Sequence, residues 1–560
     1  MDVTMPLQGG RAEAVYVNGR VWPGARGPAS EGAPEPTAIA VSGGRVVALG
    51  TDATVRDLAG PGTAVVDLSG RRVVPGLIDG HIHAVRGGAS FDRELHWTGM
   101  PSVASALESI KRATATCEPG EWIRAVGGWH PTQFPEGRAP SREELDVVAP
   151  DHPVYLQVLY EYSVLNSAAL RRSGLDRMPT DPPGGAVERD AAGRPTGRVT
   201  GLGGYSHCLA AMPRRTHDQE RTSTAAMMRA LHAAGLTGLV DAGGFGMSPE
   251  RYDSLFDLWR RDELTMRMRL CFSAVDPGHE PEQLEAWLRY QQSRFGDDLL
   301  RVLGVGEVVH FGCHDFEGLE PFAISDEARA DLLRITRATA RRGWPMQVHA
   351  VLDSSLDVIL GVWEEVHAET PLTGLRFVVA HADRISPRNI GRLAALGAGV
   401  VVDDHLVFKA GASERVWGQE AVHRAPPLGE LRHAGLPIAA GTDATRASSF
   451  SPWLALWWMV TGRSLDGAQR RAPEHLLTRE EALAAYTAGS AWMSFEEHAR
   501  GHLFPGAHAD FAVLDADYLT VDESAIPAIA ADLTVVGGRP VFSTGAVAVP
   551  EPERAKELSR

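Results

Sequence analysis

Apolar and polar positions change period along this chain in a way that divides it into three textures. Near the N-terminus, from about 13 to 70, short apolar runs are broken by turns: Ala14-Val15-Tyr16-Val17, Ala38-Ile39-Ala40-Val41 before Ser42-Gly43-Gly44, Arg45-Val46-Val47-Ala48-Leu49, and Ala64-Val65-Val66-Asp67. They read as β-strands joined by tight turns. The same texture returns near the C-terminus, in Asp510–Asp515 and in Asp532–Phe542. Neither fragment alone supports a layered core, so the two are expected to combine into one small β-sandwich built from residues 1–72 and 496–560.

Between them, apolar strands alternate with longer segments of helical spacing, such as Asp326–Thr336. That alternation predicts βα units and a parallel sheet. Strands are expected near 73–80, 237–241, 266–273, 299–309, 345–349, 375–381, 398–403 and 437–441. Eight strands followed by helices predict a closed (β/α)8, TIM-like barrel over 73–495, an α/β fold. An open doubly wound sheet is the rival, but no Gly-rich nucleotide loop follows the first strand. Residues 122–215 interrupt the pattern and are expected to form an insertion over the barrel mouth, shaping a substrate pocket or adding a peripheral subdomain.

Composition narrows the function classes. The chain has 560 residues, 44% hydrophobic and 22% charged, with a formal net charge of -16, which disfavours nucleic acid and anionic membrane as partners and favours a small-molecule substrate. Cys117, Cys208, Cys271 and Cys313 are scattered without a Cys-x-x-Cys pair, which fits a reducing cytoplasm. Met1–Gln8 lacks the basic and apolar regions of a signal peptide, and no run approaches the roughly 20 apolar residues of a membrane span. Lys111, Lys409 and Lys556 are the only lysines, leaving almost no candidate for a lysine ligand or nucleophile.

Candidate chemistry gathers at strand ends. The run Val73–His83 finishes in His81-Ile82-His83, and residues i and i+2 of a strand face the same side, so both imidazoles can meet one metal ion. Such a pair also caps ordinary strands. His349 ends Trp344–His349, His381 ends Leu375–His381, and Asp443 follows Leu436–Thr442. In a parallel barrel the C-terminal strand ends meet at one face, where these five side chains can converge.

With these motifs in view, the sequence resembles the amidohydrolase superfamily, in the branch represented by N-substituted formamide deformylase (amidohydrolase family 3). The resemblance rests on Pro75–His83, Val348-His349-Ala350, Ala380-His381-Ala382, Gly441-Thr442-Asp443-Ala444, Asn166–Leu170, Gly184-Gly185, Pro195-Thr196-Gly197, Glu480–Leu483 and Ala509–Leu514. It implies a barrel holding a divalent metal, usually zinc, on His81, His83, His349 and His381. Asp443 would contact the metal and the attacking water, acting as general base and then general acid. Relatives are often dimers, so a homodimer is an expectation. Metal coordination suits this set because nitrogen and oxygen donors bind zinc and acidify bound water.

The chain also departs from the branch. The fourth strand of relatives ends in a lysine that can be carbamylated to bridge two metals; here Val302–Phe311 has no lysine, and Glu307 is the substitute, as a bridge between two ions or as a structural carboxylate beside one. His310, Cys313, His314 and Asp315 follow it. Relatives often carry histidine near the position of Glu161, and a Gln-containing motif where Asp403-Asp404-His405 stands. Trp129, His130, Tyr160, Glu161, Tyr162, His310, His314 and His405 are the candidate substrate-binding residues. The expected function is metal-dependent cleavage of a C–N bond in a small non-peptide amide, of which the resemblance suggests an N-substituted formamide. A deaminase or cyclic-imide hydrolase at the same site, or a non-catalytic binding member of the fold, are the alternatives.

Overall fold

The computed structural model of the protein describes residues 3–4, 11–25 and 34–550. Most of Met1–Gln8 and Lys556 lie outside the described residues.

Eight parallel strands run in sequence order through the centre: β1 (Leu77–Ile82), β2 (Leu236–Asp241), β3 (Arg267–Phe272), β4 (Leu300–Val305), β5 (Gln347–Ala350), β6 (Val378–His381), β7 (Gly399–Val402) and β8 (Ile438–Ala440). They form two four-stranded sheets, β1 to β4 and β5 to β8. The sheets meet on one side at the parallel bridge between Val305 and Met346. On the other side the amides of Thr442 and Asp443 donate to the His81 carbonyl at 3.1 and 2.8 Å.

Helices fill the connections, and their apolar faces explain why they pack. Asp326–Arg341 starts at Ser325, whose hydroxyl accepts from the Ala328 amide, and buries Ala328, Leu332, Ile335 and Thr339. These positions recur every three or four residues, so one side of the helix faces the sheet. Leu239, Leu270, Val302, Val348, Val379 and Val400 meet helix residues such as Leu231, Leu332, Trp363 and Leu393 in one continuous core.

The apolar run 73–80 is not a single strand. Arg72–Pro75 pairs with Phe511–Leu514 in a sheet made from both ends of the chain, and only Leu77–Ile82 belongs to the central set. Gly76 marks the break: a Cβ there would lie 2.2 Å from Thr237 Oγ1, so the close crossing demands glycine. Two five-stranded sheets from the chain ends share a core of Tyr16, Val46, Val66, Phe511, Val513 and Leu533.

The segment 299–309 also ends its strand sooner than its apolar pattern suggests. β4 stops at Val305, and Glu307 stands in the connection beyond, its amide donating to the Ala242 carbonyl at 2.6 Å.

A separate five-stranded sheet spans Ile123–Val126, Val154–Val158, Tyr162–Leu165, Ala186–Arg189 and Pro195–Thr200. Helix Val103–Thr114 packs on it through Val103, Ala106 and Ile110, so this packing unit begins ahead of residue 122. The turn between its second and third strands carries Leu159, Tyr160 and Glu161 to the C-terminal ends of the central strands, where they share a cavity with His83 and Asp443.

Candidate metal centre and substrate cavity

Four imidazoles and two carboxylates converge where the central strands end. His83 Nε2 lies 3.1 Å from Glu307 Oε1 and 3.0 Å from Asp443 Oδ1. His81 Nε2 lies 3.5 Å from Asp443 Oδ1 and 3.4 Å from Glu307 Oε2. His349 Nδ1 and His381 Nε2 stand 3.4 and 3.6 Å from that same Glu307 oxygen. Neighbouring ligand atoms on a tetrahedral ion with bonds near 2.1 Å are about 3.4 Å apart, so these separations fit donors arranged around a metal.

Each imidazole is oriented through its other nitrogen. His83 Nδ1 donates to the Gly243 carbonyl at 2.9 Å. His349 Nε2 donates to the Phe316 carbonyl at 2.8 Å, with Asp315 Oδ1 at 3.1 Å. His381 Nδ1 is hydrogen-bonded to the Asp403 carboxylate. The Gln347 side-chain amide stands 2.9 Å from His81 Nδ1; turned so that its oxygen faces the ring, it accepts the Nδ1 proton. All four inner lone pairs then point at the centre, the arrangement by which outer hydrogen bonds fix ligand tautomers.

The centre lacks positive charge of its own. His81 Nε2, His381 Nε2 and Glu307 Oε2 are buried without a hydrogen-bond partner. Burial opposes charge on His81, yet Glu307 and Asp443 outweigh it and raise its pKa well above the usual value. Burial likewise opposes ionisation of Glu307, but the surrounding histidines, His81 foremost, hold it well below the ordinary carboxylate range. A cluster that draws protons this way is one a cation fits. Zinc-type donors, orphaned buried atoms and tetrahedral spacing agree, so these residues fit a divalent metal.

The backbone around the centre is shaped to present it. His381 and Asp443 hold φ of 73° and 52°, a left-handed conformation that non-glycine residues seldom adopt outside functional sites. Gly244 leaves room for His83, since a Cβ there would come within 2.9 Å of the ring. Asp79 ties the two ends of the strand set: it accepts from the His81 and Thr442 amides at 3.0 and 3.1 Å and from the Thr442 hydroxyl at 2.6 Å. Burial pushes Asp79 up to about 7.

Beneath His381 lies a buried chain. Asp403 also accepts from His405 Nδ1 at 2.8 Å, and His405 Nε2 donates to Asp383 at 2.6 Å. Burial works against a charged His405, but Asp383 and Asp403 raise its pKa well above the usual value. His405 therefore supports the centre from behind and does not line the cavity.

Among the other residues singled out from the sequence, Tyr160, Glu161 and His314 line a cavity of about 870 Å³ that opens onto His83, Glu307, His349 and Asp443. His314 stacks on His349 with ring centroids 3.6 Å apart. Burial and the neighbouring His349 lower its pKa well below the usual value, so it is a neutral ring beside the donors. His130 stands behind this wall, its Nε2 3.3 Å from Glu161. Tyr162 packs away from it, under the Arg198 guanidinium. Trp129 does not reach the cavity: it is fully buried in the inserted sheet's core, edge-on to Trp97. His310 faces Asp331 and Glu280 at 3.4 and 3.8 Å, away from the cavity.

Three functional neighbours were not singled out from the sequence. Gln347 precedes His349 by two residues, so strand alternation places both on one face, a clue available from spacing. Arg86, three residues beyond His83, lines the cavity; its one hydrogen bond among the described residues is to the Tyr160 hydroxyl at 3.3 Å. Lys409, on helix Leu406–Trp417, lines the cavity as well.

An α/β chain with a metal-fitting cluster at its strand ends is of the metal-dependent hydrolase kind, and the comparisons with known proteins agree. The model of the Amidohydrolase family matches residues 64–542, and the chain belongs to that family. It is 28% identical over 506 residues to N-substituted formamide deformylase of Arthrobacter pascens, covering 86% of this chain and 90% of the relative. It is 26% identical over 569 residues to protein LONG AFTER FAR-RED 3 of Arabidopsis thaliana, covering 96% and 93%. Among solved structures, an uncharacterized metal-dependent hydrolase from Pyrococcus horikoshii OT3 superposes with a TM-score of 0.65 at 21% identity, over 91% of this chain and 99% of that one. Atrazine chlorohydrolase TrzN from Arthrobacter aurescens TC1, complexed with zinc, gives a TM-score of 0.55 at 16% identity, over 98% and 99%.

Proposed function

We propose that this protein is a metal-dependent hydrolase that cleaves the C–N bond of a small non-peptide amide, with an N-substituted formamide as the first candidate. The observation that carries the reading is the cluster itself: four inward lone pairs and two carboxylates at tetrahedral spacing, open to the cavity. We read the eight strands as a closed (β/α)8 barrel and the two terminal sheets as a β-sandwich beside it. The reading draws support from similar proteins named as hydrolases, the Arthrobacter N-substituted formamide deformylase among them.

His81, His83 and Asp443 would hold one ion and His349 and His381 a second, with the Glu307 carboxylate between the two groups. Zinc suits the donors, and a divalent cation there supplies Lewis acidity toward a carbonyl and acidifies water. Asp443 is ionised at neutral pH, because His81 and His83 hold it below the usual range against the effect of burial. It can take a proton from an attacking water and return it to the leaving nitrogen. Phe245 and Phe316, nearly parallel with centroids 5.7 Å apart, offer apolar walls for an N-substituent. The four cysteines are unpaired, and no helix among the described residues is long and apolar enough to cross a membrane. Both fit a cytoplasmic enzyme.

Metal-reconstituted protein should be assayed against formanilide-type amides, cyclic imides and aminopurines. Release of formate or another acid from an amide supports the proposal. Ammonia release from an aminopurine, or imide opening without amide turnover, assigns the site to the alternative chemistry.

A further inference from the structure

Lys409 is one of two lysines among the described residues, and its environment differs from that of a structural lysine. Its side chain is only 3% exposed, in a cavity wall that also carries Asp443 and His349. It is ion-paired to Glu317, a cavity residue that is itself about one quarter exposed, with a relative side-chain exposure of 27%. An ammonium carries three N–H donors. Glu317 can engage one face, and among the described residues no hydrogen bond of Nζ meets normal geometry. Such a group normally reaches water or a carboxylate on every side, since burying a charge without full pairing is costly.

Burial also weighs against the charge on Lys409. Asp443, Glu161 and Asp315 all act to hold its proton, but burial dominates and brings its pKa down to about 7. A second cation, Arg86, lies in the same wall with a single 3.3 Å hydrogen bond, to Tyr160. Arg86 and Lys409 line the same cavity, together with Tyr160 and Glu161 of the inserted turn. Both line the cavity that opens onto Asp443 and His349.

We propose that Lys409, with Arg86 in the same cavity wall, is the subsite for a carboxylate on the substrate, so that the preferred amides carry an acidic group on the N-substituent. The inference rests on the proposed hydrolase reading and deepens it. A substrate carboxylate supplies the acceptors Lys409 lacks, and the partly exposed Glu317 can turn toward solvent when it is displaced. The aromatic faces of Phe245 and Phe316 would hold the ring that bears the acid.

The test compares formanilide with formanilides carrying an ortho, meta or para ring carboxylate, using the metal-loaded full chain. At least one acid should have the higher kcat/KM in the wild type. Lys409→Met should reduce the acid-to-neutral ratio about 10- to 100-fold, the range for a hydrogen bond to a charged group. Lys409→Arg should restore part of that ratio. Calorimetric binding of the matching aminobenzoate, compared with aniline, reads the subsite without turnover and should show the same loss in Lys409→Met. Equal losses on acid and neutral amides, or a wild type that prefers formanilide and binds aminobenzoate no better than aniline, overturn the subsite. Absence of any amide turnover, with aminobenzoate still bound through Lys409, would instead overturn the hydrolase reading alone.

Discussion

Replacing Glu307 by alanine should remove one metal ion and leave the other. In the wild type Oε1 faces His83, while Oε2 lies between the groups, 3.4 and 3.6 Å from His349 and His381 and 3.4 Å from His81. Without the carboxylate, one side keeps three donors, His81, His83 and Asp443, held within 3.5 Å of one another through Asp443. The other side keeps His349 and His381, with the His314 ring stacked on His349. Catalytic zinc sites hold their ion with about three protein ligands, whereas two leave it weakly bound. Elemental analysis after gel filtration should therefore fall from about two equivalents per chain to about one, the difference between three surviving donors and two. Glu307→Gln should behave similarly, because its amide nitrogen cannot ligate. Thermal unfolding of each variant checks that the chain still folds. Two ions retained in Glu307→Ala would refute the bridging geometry, and a wild type holding one ion that vanishes entirely would refute the division into two groups.

Three further outcomes follow from the same structure. Asp403→Asn should weaken metal affinity about 10- to 100-fold, because His381 loses the acceptor that fixes its tautomer; competition with a chromogenic chelator measures it. Glu496→Ala should cost about 3–5 kcal/mol in denaturant unfolding, since it strips buried Arg269 and Arg500 of the carboxylate that accepts from them at 2.7 and 3.0 Å; a cost near zero would show the cage to be dispensable. Lys409→Met should gain stability relative to the wild type at pH 6 compared with pH 10, because burial opposes the ammonium charge the wild type carries at the lower pH. Between the folded value of about 7 and the ordinary 10.5, the unfolded chain binds the proton and the folded chain does not, so wild-type stability rises with pH and the variant's advantage shrinks. Urea midpoints at pH 6 and pH 10 for both proteins check the sign.

The site's ligands were legible because they obey strand geometry. His81, His83 and His349 fall on alternating positions at the ends of apolar runs, and period 2 announces which face they share. Glu307 was found by absence, as the carboxylate where a lysine was expected. What the sequence hid depends on contacts with no local period. The break at Gly76 is dictated by Thr237, 161 residues away, and an apolar run looks continuous across it. Trp129 and His310 looked like pocket residues because aromatic and histidine side chains are common there; packing against Trp97 and pairing with Asp331 give them other work. Lys409 sits on a helix with no strand-end cue, and the scarcity of lysine in the chain drew attention away from it.

The link between Asp79 and Thr442 also sets a timetable. The two residues are 363 positions apart, yet the metal-fitting cluster is assembled only when they meet. On a ribosome adding about 5–20 residues per second, the first histidine pair waits roughly 20–70 s for Asp443 to be made. During that interval the edge of β1 that will face β8 has no partner, and unpaired strand edges invite association with other chains. The nascent protein therefore carries its greatest aggregation risk just before the segment that creates its chemistry arrives, and a chain truncated ahead of residue 442 would stay in that state.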